Sequence, residues 1–108
     1  MEKRFGGDSV TDVYSISQLK EILLPIFGAH QIRRAVLFGS YGKGTASSKN
    51  DVDLLVDSGL RGLRFVGLQG EIQSAVGKDV DLFDVTHIIP GSKVDEEIRR
   101  TGVVLYEK

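Results

Sequence analysis

The stretch LFGSYGKGTASSKNDVDLLV, residues 37–56, decides how this chain folds and carries most of its chemically active residues. It begins at the end of a predicted strand, residues 32–38, whose β-branched and aromatic side chains stop abruptly at Gly39. Residues 39–50 are mostly Gly, Ser, Lys, Thr and Asn without apolar periodicity, which predicts a polar loop with room for one short helical turn. Residues 51–57 form a second predicted strand. The stretch therefore predicts two strands joined by a polar connection.

Helices and further strands are predicted on both sides of this unit. Ser15 and Gln18 have the spacing of a capping box and precede apolar residues at helical spacing, which predicts a helix that ends near residues 25–28. Downstream, the sequence predicts a helix at 63–76, a strand at 80–85, a helix at 92–100 and a last strand at 103–106. This alternation predicts an α/β (α+β) fold, in which helices pack on a small mixed β-sheet.

The size of the chain suits one domain. With 108 residues it can bury a single hydrophobic core, and its 41% apolar and 27% charged residues are typical of globular proteins. Residues 1–11 contain two consecutive glycines and little that could pack, which predicts a flexible N-terminal lead-in. We therefore expect one domain at residues 12–108.

Composition also excludes several classes of function. The net charge is -1 and the basic residues are scattered, so no direct nucleic-acid binding is expected. The chain has no cysteine, which excludes disulfides, thiolate metal sites and cysteine nucleophiles. No apolar run approaches the roughly 20 residues of a membrane span, and no signal-peptide pattern begins the sequence, so no membrane association and a cytoplasmic location are expected.

Three aspartates form the first part of a candidate site. Side chains two residues apart on a strand point to the same face, so Asp51 and Asp53 lie side by side while Val52 enters the core. Asp81, within VDLF at 80–83, would join them from another strand. Crowded carboxylates repel each other and raise one pKa unless a cation binds between them, so this cluster predicts a magnesium site.

The turn at Gly39 and Ser40 forms the second part. Small residues where a strand ends allow backbone N–H groups to approach an anion closely, and the hydroxyl of Ser40 is a further donor. Lys43 could add a positive charge nearby. The turn lacks the Gly-Lys-Ser/Thr ending of a P-loop, and no Gly-x-Gly-x-x-Gly opens a long helix, so the better-known phosphate motifs do not explain it.

Some neighbouring residues allow two interpretations. Asp79 and Asp84 flank Asp81, but Asp79 is expected to begin the strand and face solvent. Tyr41 could stack on a nucleobase or merely cover the edge of the core. His30 and His87 have no metal-ligand spacing, so both are expected at the surface or in loops.

At these residues the sequence resembles the DNA polymerase beta-like nucleotidyltransferase superfamily. The likeness is to its minimal members, the MNT antitoxins that are paired with HEPN toxins. It spans roughly residues 32–85 and depends on LFGSYGKG at 37–44, DVDLLV at 51–56 and VDLF at 80–83. The resemblance implies the polymerase beta-like palm fold.

The resemblance also implies a role for each residue of the site. Gly39 and Ser40 would bind the triphosphate of ATP, helped by Lys43, where the family often has arginine. Asp51 and Asp53 would be metal ligands. Asp81 matches the third family carboxylate, which helps to activate the attacking hydroxyl and completes the set around two Mg²⁺ ions.

The family further implies a protein substrate. Its minimal members transfer AMP from ATP to a tyrosine of a HEPN ribonuclease toxin, which makes an antitoxin that adenylylates its toxin the expected function. One alternative is an inactive binding module that neutralises a partner by forming a complex, with vestigial aspartates. Another is nucleotidyl transfer to a small molecule, which the lack of an acceptor-binding domain in this sequence disfavours.

Overall fold

The chain alternates between helices and strands as the sequence predicts. The structure, a computed structural model, describes residues 13–47 and 50–108, so the predicted lead-in at 1–11 lies outside the described residues. Its elements are α1 (Ile16–Ala29), β1 (Arg34–Phe38), α2 (Gly39–Lys43), β2 (Val52–Asp57), α3 (Leu63–Val76), β3 (Val80–Asp84), a 3-10 turn (Val85–His87), α4 (Lys93–Thr101) and β4 (Val103–Glu107). None of the helices in the described ranges is long and apolar enough to cross a membrane.

The four strands form one mixed sheet in the order β3-β2-β1-β4. Strand β1 is antiparallel to both of its neighbours, β2 and β4, whereas β2 and β3 are parallel. Parallel neighbours need a crossover, and α3 provides it. This confirms the predicted α/β class with helices on a small mixed sheet.

Helices cover both faces of the sheet, but to different extents. On one face α1 and α3 enclose the main core, into which β2 directs Val52, Leu54 and Val56 as predicted. On the other face α4 packs over a smaller apolar cluster built on Val36, Phe38 and Leu55. Since side chains alternate along β2, Asp53 lies on this second face beside the small cluster.

Helix α1 begins as predicted and ends slightly later than predicted. The Ser15 hydroxyl accepts from the Gln18 amide at 3.1 Å, and the Gln18 side chain accepts from the Ser15 amide at 2.8 Å. The helix then continues through Pro25 to Ala29, just beyond the predicted end. Pro25 removes the donor for the Glu21 carbonyl, and both residues are exposed, so water can replace the lost hydrogen bond.

Candidate active site

Strand pairing brings Gly39, Asp53 and Asp81 to one edge of the sheet. Because β1 is antiparallel to β2, its last residue, Phe38, pairs with Asp53 near the start of β2. Because β2 is parallel to β3, Asp53 pairs in turn with Asp81. Gly39 follows Phe38 directly and begins α2. The turn after β1 and the first residues of β2 and β3 therefore form one continuous edge.

Asp53 and Asp81 are in register on the face that α4 covers. Asp53 is half-buried and Asp81 is exposed. Burial raises the pKa of Asp53 to about 6, and so do the negative charge of Asp81, a hydrogen bond to Asp81, and the charges of Glu97 and Asp51. The Asp53 carboxyl therefore gains a proton at a higher pH than an ordinary aspartate, and a bound cation would oppose this by stabilising the ionised form.

Asp51 lies at the same edge of the sheet, directly before β2. It is exposed and makes the smallest contribution to the raised pKa of Asp53. Within residues 13–47 and 50–108, no three carboxylate or imidazole side chains are arranged to enclose a metal ion. What the structure does bring together is the strand-paired Asp53 and Asp81, with Asp51 two residues before Asp53. Carboxylates in this arrangement fit magnesium, which commonly takes one or two carboxylates and completes its shell with substrate oxygens and water.

Gly39 is in direct contact with Asp53. A Cβ atom at position 39 would lie 2.4 Å from Oδ2 of Asp53, so a side chain there would force the Asp53 carboxylate to move. Gly39 also has a φ of +72°, in the left-handed region that favours glycine. The polar turn can therefore press against the carboxylate only because residue 39 has no side chain.

The N–H of Gly39 is not free to bind an anion, which differs from the simplest expectation for such a turn. It donates to Oγ1 of Thr101 at 2.8 Å and is therefore already engaged. The next N–H groups of α2, those of Ser40 and Tyr41, lie in the first turn, where a helix supplies no acceptor. Ser40 is half-buried and Lys43, the last residue of α2, is exposed.

Tyr41 belongs to the core. It is 2% exposed and packs in the main apolar cluster, which resolves the two interpretations in favour of a packing role for its ring. Its hydroxyl is buried and has no hydrogen-bond partner among the residues that the structure describes. Tyr41 is therefore not placed to stack on a base in this conformation.

The carboxylates that flank Asp81 have different surroundings. Asp79 is exposed ahead of β3. Asp84 is buried at the end of β3, where it accepts hydrogen bonds from the amides and hydroxyls of Ser58 and Thr86. Burial opposes ionisation of Asp84, but these four donors outweigh it and hold its pKa below the usual range. Of the three, Asp81 is the one paired with Asp53.

The two histidines take part in local contacts away from this edge. His30 follows α1 and forms a 2.7 Å contact with the carboxylate of Glu71 on α3. His87 is exposed in the 3-10 turn, and its Nδ1 accepts from the amide of Asp84 at 3.2 Å. Both have the surface or loop placement that the sequence predicts.

Two residues of α4 face the site and were not predicted. Glu97 contributes to the raised pKa of Asp53, and Thr101 holds the amide of Gly39. A signal exists in the sequence, because Val94, Ile98 and Thr101 repeat at helical spacing and the first two pack against the small cluster. That pattern predicts the buried face of α4 but not what lies opposite it.

A polar cavity of about 720 Å³ opens beside Asp51. It lies between the end of α3 and the starts of β2 and β3. Its lining includes Tyr14, Asn50, Asp51, Gln73, Ser74 and Asp79. Of the predicted site residues only Asp51 lines this cavity, which lies on the α3 side of the sheet, whereas Asp53 and Asp81 lie on the face that α4 covers.

Two sequence comparisons match this chain to nucleotidyltransferases. The family model described as "Polymerase beta, Nucleotidyltransferase" matches residues 20–108. The Methanocaldococcus jannaschii protein named "Putative protein adenylyltransferase MJ0435" is 33% identical over 78 residues, which cover 70% of this chain and 84% of that protein.

Solved structures show the same fold. A toxin-antitoxin crystal structure with AMP-PNP superposes with a TM-score of 0.67 at 24% identity, covering 82% of this chain and 73% of that one. The complex of a tri-AMPylated Shewanella oneidensis HEPN toxin with its MNT antitoxin gives 0.63 at 21% identity, covering 86% and 73%. With the family match over most of its length, the chain belongs to the polymerase beta nucleotidyltransferase family.

Proposed function

We propose that this nucleotidyltransferase transfers AMP from ATP, with Mg²⁺, to a hydroxyl group of a protein partner, and that the partner is a HEPN-type toxin. The observation that carries the proposal is the half-buried carboxyl of Asp53, in contact with the Gly39 turn and paired with Asp81. This arrangement puts the Gly39-Ser40 turn and the Asp53–Asp81 pair at the same edge.

In this proposal the aspartates hold two Mg²⁺ ions. Asp51 and Asp53 are ligands on either side of the start of β2, and Asp81 is the third ligand, on the neighbouring strand. When bound, the ions supply neutralising charge for the phosphates and for the pyrophosphate that leaves. The raised pKa of Asp53 supports this role, because burial and neighbouring negative charge both disfavour its ionised form, which a bound cation would stabilise.

Asp81 has a second role, which follows from its position. It is the exposed member of the pair and lies on the edge strand β3, away from the Gly39 turn. An acceptor hydroxyl that approaches over β3 meets Asp81 first, so Asp81 is suited to accept its proton as the oxygen attacks the α-phosphate. The bond to pyrophosphate breaks on the opposite side, toward the turn.

The turn at Gly39 binds the triphosphate in this proposal. The N–H and hydroxyl of Ser40 donate to phosphate oxygens, and Lys43 supplies charge from the end of α2. Gly39 contributes by its lack of a side chain and not by its N–H, which is bound to Thr101. Lys43 acts as a point charge and does not form the two-pronged contact that arginine could make.

The protein partner is supported by the relatives. The M. jannaschii protein carries the name of a protein adenylyltransferase, and the S. oneidensis MNT antitoxin was solved with an AMPylated HEPN toxin. The AMP-PNP in a further toxin-antitoxin structure supports ATP as the donor. A tyrosine hydroxyl on the toxin is then the acceptor.

The test is transfer of label from α-labelled ATP to a cognate HEPN toxin in the presence of Mg²⁺. We expect labelled toxin with the wild-type chain and a loss of at least about 100-fold with Asp53→Asn, since a metal ligand contributes in the transition state. Circular dichroism and thermal melting establish that the variant folds. Full transfer by folded Asp53→Asn would contradict the assigned role.

Two further variants separate Asp81 from its neighbour. Asp81→Asn should lose transfer, whereas Asp79→Asn, an equally exposed carboxylate two residues away, should retain it. The alternative is a binding module. It would be supported if the Asp51→Asn, Asp53→Asn double variant neutralised the toxin as well as the wild type and calorimetry showed no Mg²⁺-dependent ATP binding.

A further inference from the structure

Thr101, the last residue of α4, is joined to the phosphate-binding turn at two points. It is buried, and its Oγ1 accepts from the Gly39 N–H at 2.8 Å while donating to the Glu97 carbonyl at 2.7 Å. The backbone makes the second contact: a Cβ at Gly42 would lie 2.3 Å from the Thr101 carbonyl oxygen. The end of α4 therefore touches both the first residue of α2 and its fourth.

The Gly39 peptide has little freedom between these contacts. Its N–H is bound to Thr101, and its Cα packs against Oδ2 of Asp53. A change in φ at Gly39, the torsion that joins its N–H to the rest of the turn, would move the turn relative to the Asp53 carboxylate and would redirect the N–H of Ser40. The hydroxyl of Thr101 opposes that rotation by donating one hydrogen bond and accepting another.

We propose that Thr101 is a positioning residue for the nucleotide, which orients the Gly39-Ser40 turn through the Gly39 N–H. The proposal rests on the function proposed above, because it assumes that this turn binds the triphosphate. Thr101 does not touch the nucleotide itself. Its effect should therefore appear mainly in nucleotide affinity and in the KM for ATP, and less in the rate at saturating ATP.

Two substitutions at this position test the idea. Thr101→Val keeps the shape of the side chain but removes both hydroxyl hydrogen bonds, whereas Thr101→Ser keeps the hydroxyl. Thr86→Val is the matched control, because it also removes a threonine hydroxyl bond, the 2.8 Å bond to Asp84 beyond the other end of β3. Each variant is assayed for binding of Mg²⁺-AMP-PNP, for KM and kcat of transfer, for thermal stability and for exchange of the Gly39 amide proton.

We expect Thr101→Val to weaken AMP-PNP binding and to raise the KM for ATP by about 10-fold, since small misplacements of a binding group are costly. Exchange of the Gly39 amide should become faster. Thr101→Ser should bind within about threefold of wild type, because its hydroxyl can form the same bonds. Thr86→Val should lose stability without a change in KM.

The outcomes separate this inference from the proposed function. Absence of AMP-PNP binding by the wild-type chain would overturn the proposed function and the inference that rests on it. Normal binding by the wild type together with an unchanged KM in folded Thr101→Val would overturn the inference alone. Equal losses of affinity in Thr101→Val and Thr101→Ser would also overturn it, because they would show that the hydroxyl is not the orienting group.

Discussion

The paired strands β2 and β3 hold an aspartate near each end, Asp53 on β2 and Asp84 on β3. The surroundings of these two carboxyls shift their pKa values in opposite directions. At the C-terminal end, Asp84 faces the main core side and accepts four hydrogen bonds, which hold its pKa below the usual range. At the N-terminal end, Asp53 faces the other side, and burial together with the neighbouring carboxylates raises its pKa to about 6. Complete hydrogen bonding suits a structural role, whereas unrelieved negative charge suits a site that binds a cation.

The glycine beside Asp53 offers the strongest way to test this contrast. Gly39→Ala would place a Cβ 2.4 Å from Oδ2 of Asp53, so the Asp53 carboxylate must move from its present position. We expect transfer to fall by about 100-fold or more, because a shift of this size in a binding group has that cost. Steady-state transfer of label from ATP measures it.

The matched control is Gly44→Ala. Gly44 also has a positive φ, of 78°, but no atom lies within 4 Å of the place where its Cβ would be. This variant should lose only about 1 kcal/mol of stability through backbone strain and should keep transfer within a few-fold. Similar losses of transfer in both variants would show that strain, and not contact with Asp53, explains the need for glycine at position 39.

The opposite end of the strand pair should respond in stability and not in binding. Asp84→Asn removes the charge that four donors stabilise and makes one of its two oxygens a donor, which should cost about 2 kcal/mol in the free energy of unfolding. Urea unfolding measures this loss, and calorimetry with Mg²⁺-AMP-PNP should show near-normal affinity. Asp53→Asn should do the reverse, with a higher melting temperature and no Mg²⁺-dependent binding. An Asp84→Asn variant as stable as wild type would show that the four hydrogen bonds of Asp84 do not stabilise the fold, and the proposed difference between Asp84 and Asp53 would not hold.

Part of this contrast can be predicted from the sequence. The alternation of side chains along a strand is a local rule, so it places Asp51 and Asp53 on one face and Val52 on the other from three residues alone. The role of Asp84 depends on Ser58, 26 residues away, and on the order of strands in the sheet. No local pattern in the sequence encodes that order, so Asp84 could be predicted only as a neighbour of Asp81.

The contribution of α4 could not be predicted for a related reason. Its cap, its length and its apolar spacing all follow from local rules, and the structure confirms the predicted helix, which Ser92 caps. The charge of Glu97 acts on Asp53, and Thr101 accepts a hydrogen bond from Gly39. Both interactions join residues more than 40 positions apart in the chain. They depend on how α4 crosses the sheet, which is a property of tertiary packing.

The pH dependence of stability should also differ between the two ends. The folded-state pKa of Asp53, about 6, exceeds the ordinary value of 3.8, so the folded state binds more protons between these values and stability falls as the pH rises through them. The contribution is about 1 kcal/mol once solvent screening of the half-exposed carboxyl is allowed for. Asp84 has the opposite sign, because its lowered pKa adds stability that is lost as the pH falls below the ordinary value.

Unfolding by urea at several pH values between 4 and 7 measures this effect. Asp53→Asn should remove the decline between pH 4 and 6, and Mg²⁺ with AMP-PNP should reverse it in the wild type by favouring the ionised carboxylate. Asp57→Asn is the control, because Asp57 lies at the end of β2 away from the site edge and pairs with Arg33. An unchanged decline in Asp53→Asn would assign the effect to another group.

The smallest effect on stability is expected at Tyr41. Its ring fills space in the main cluster, but its buried hydroxyl, unlike the carboxyl of Asp84, has no hydrogen-bond partner within residues 13–47 and 50–108. Tyr41→Phe keeps the ring and removes a polar atom that is costly to bury, so the free energy of unfolding should stay the same or rise by up to about 1 kcal/mol. Transfer should remain at the wild-type level, because the ring and not the hydroxyl supports α2. If Tyr41→Phe instead loses stability, the hydroxyl has a partner in the folded chain, and Tyr41 then belongs with Asp84 among the satisfied buried groups.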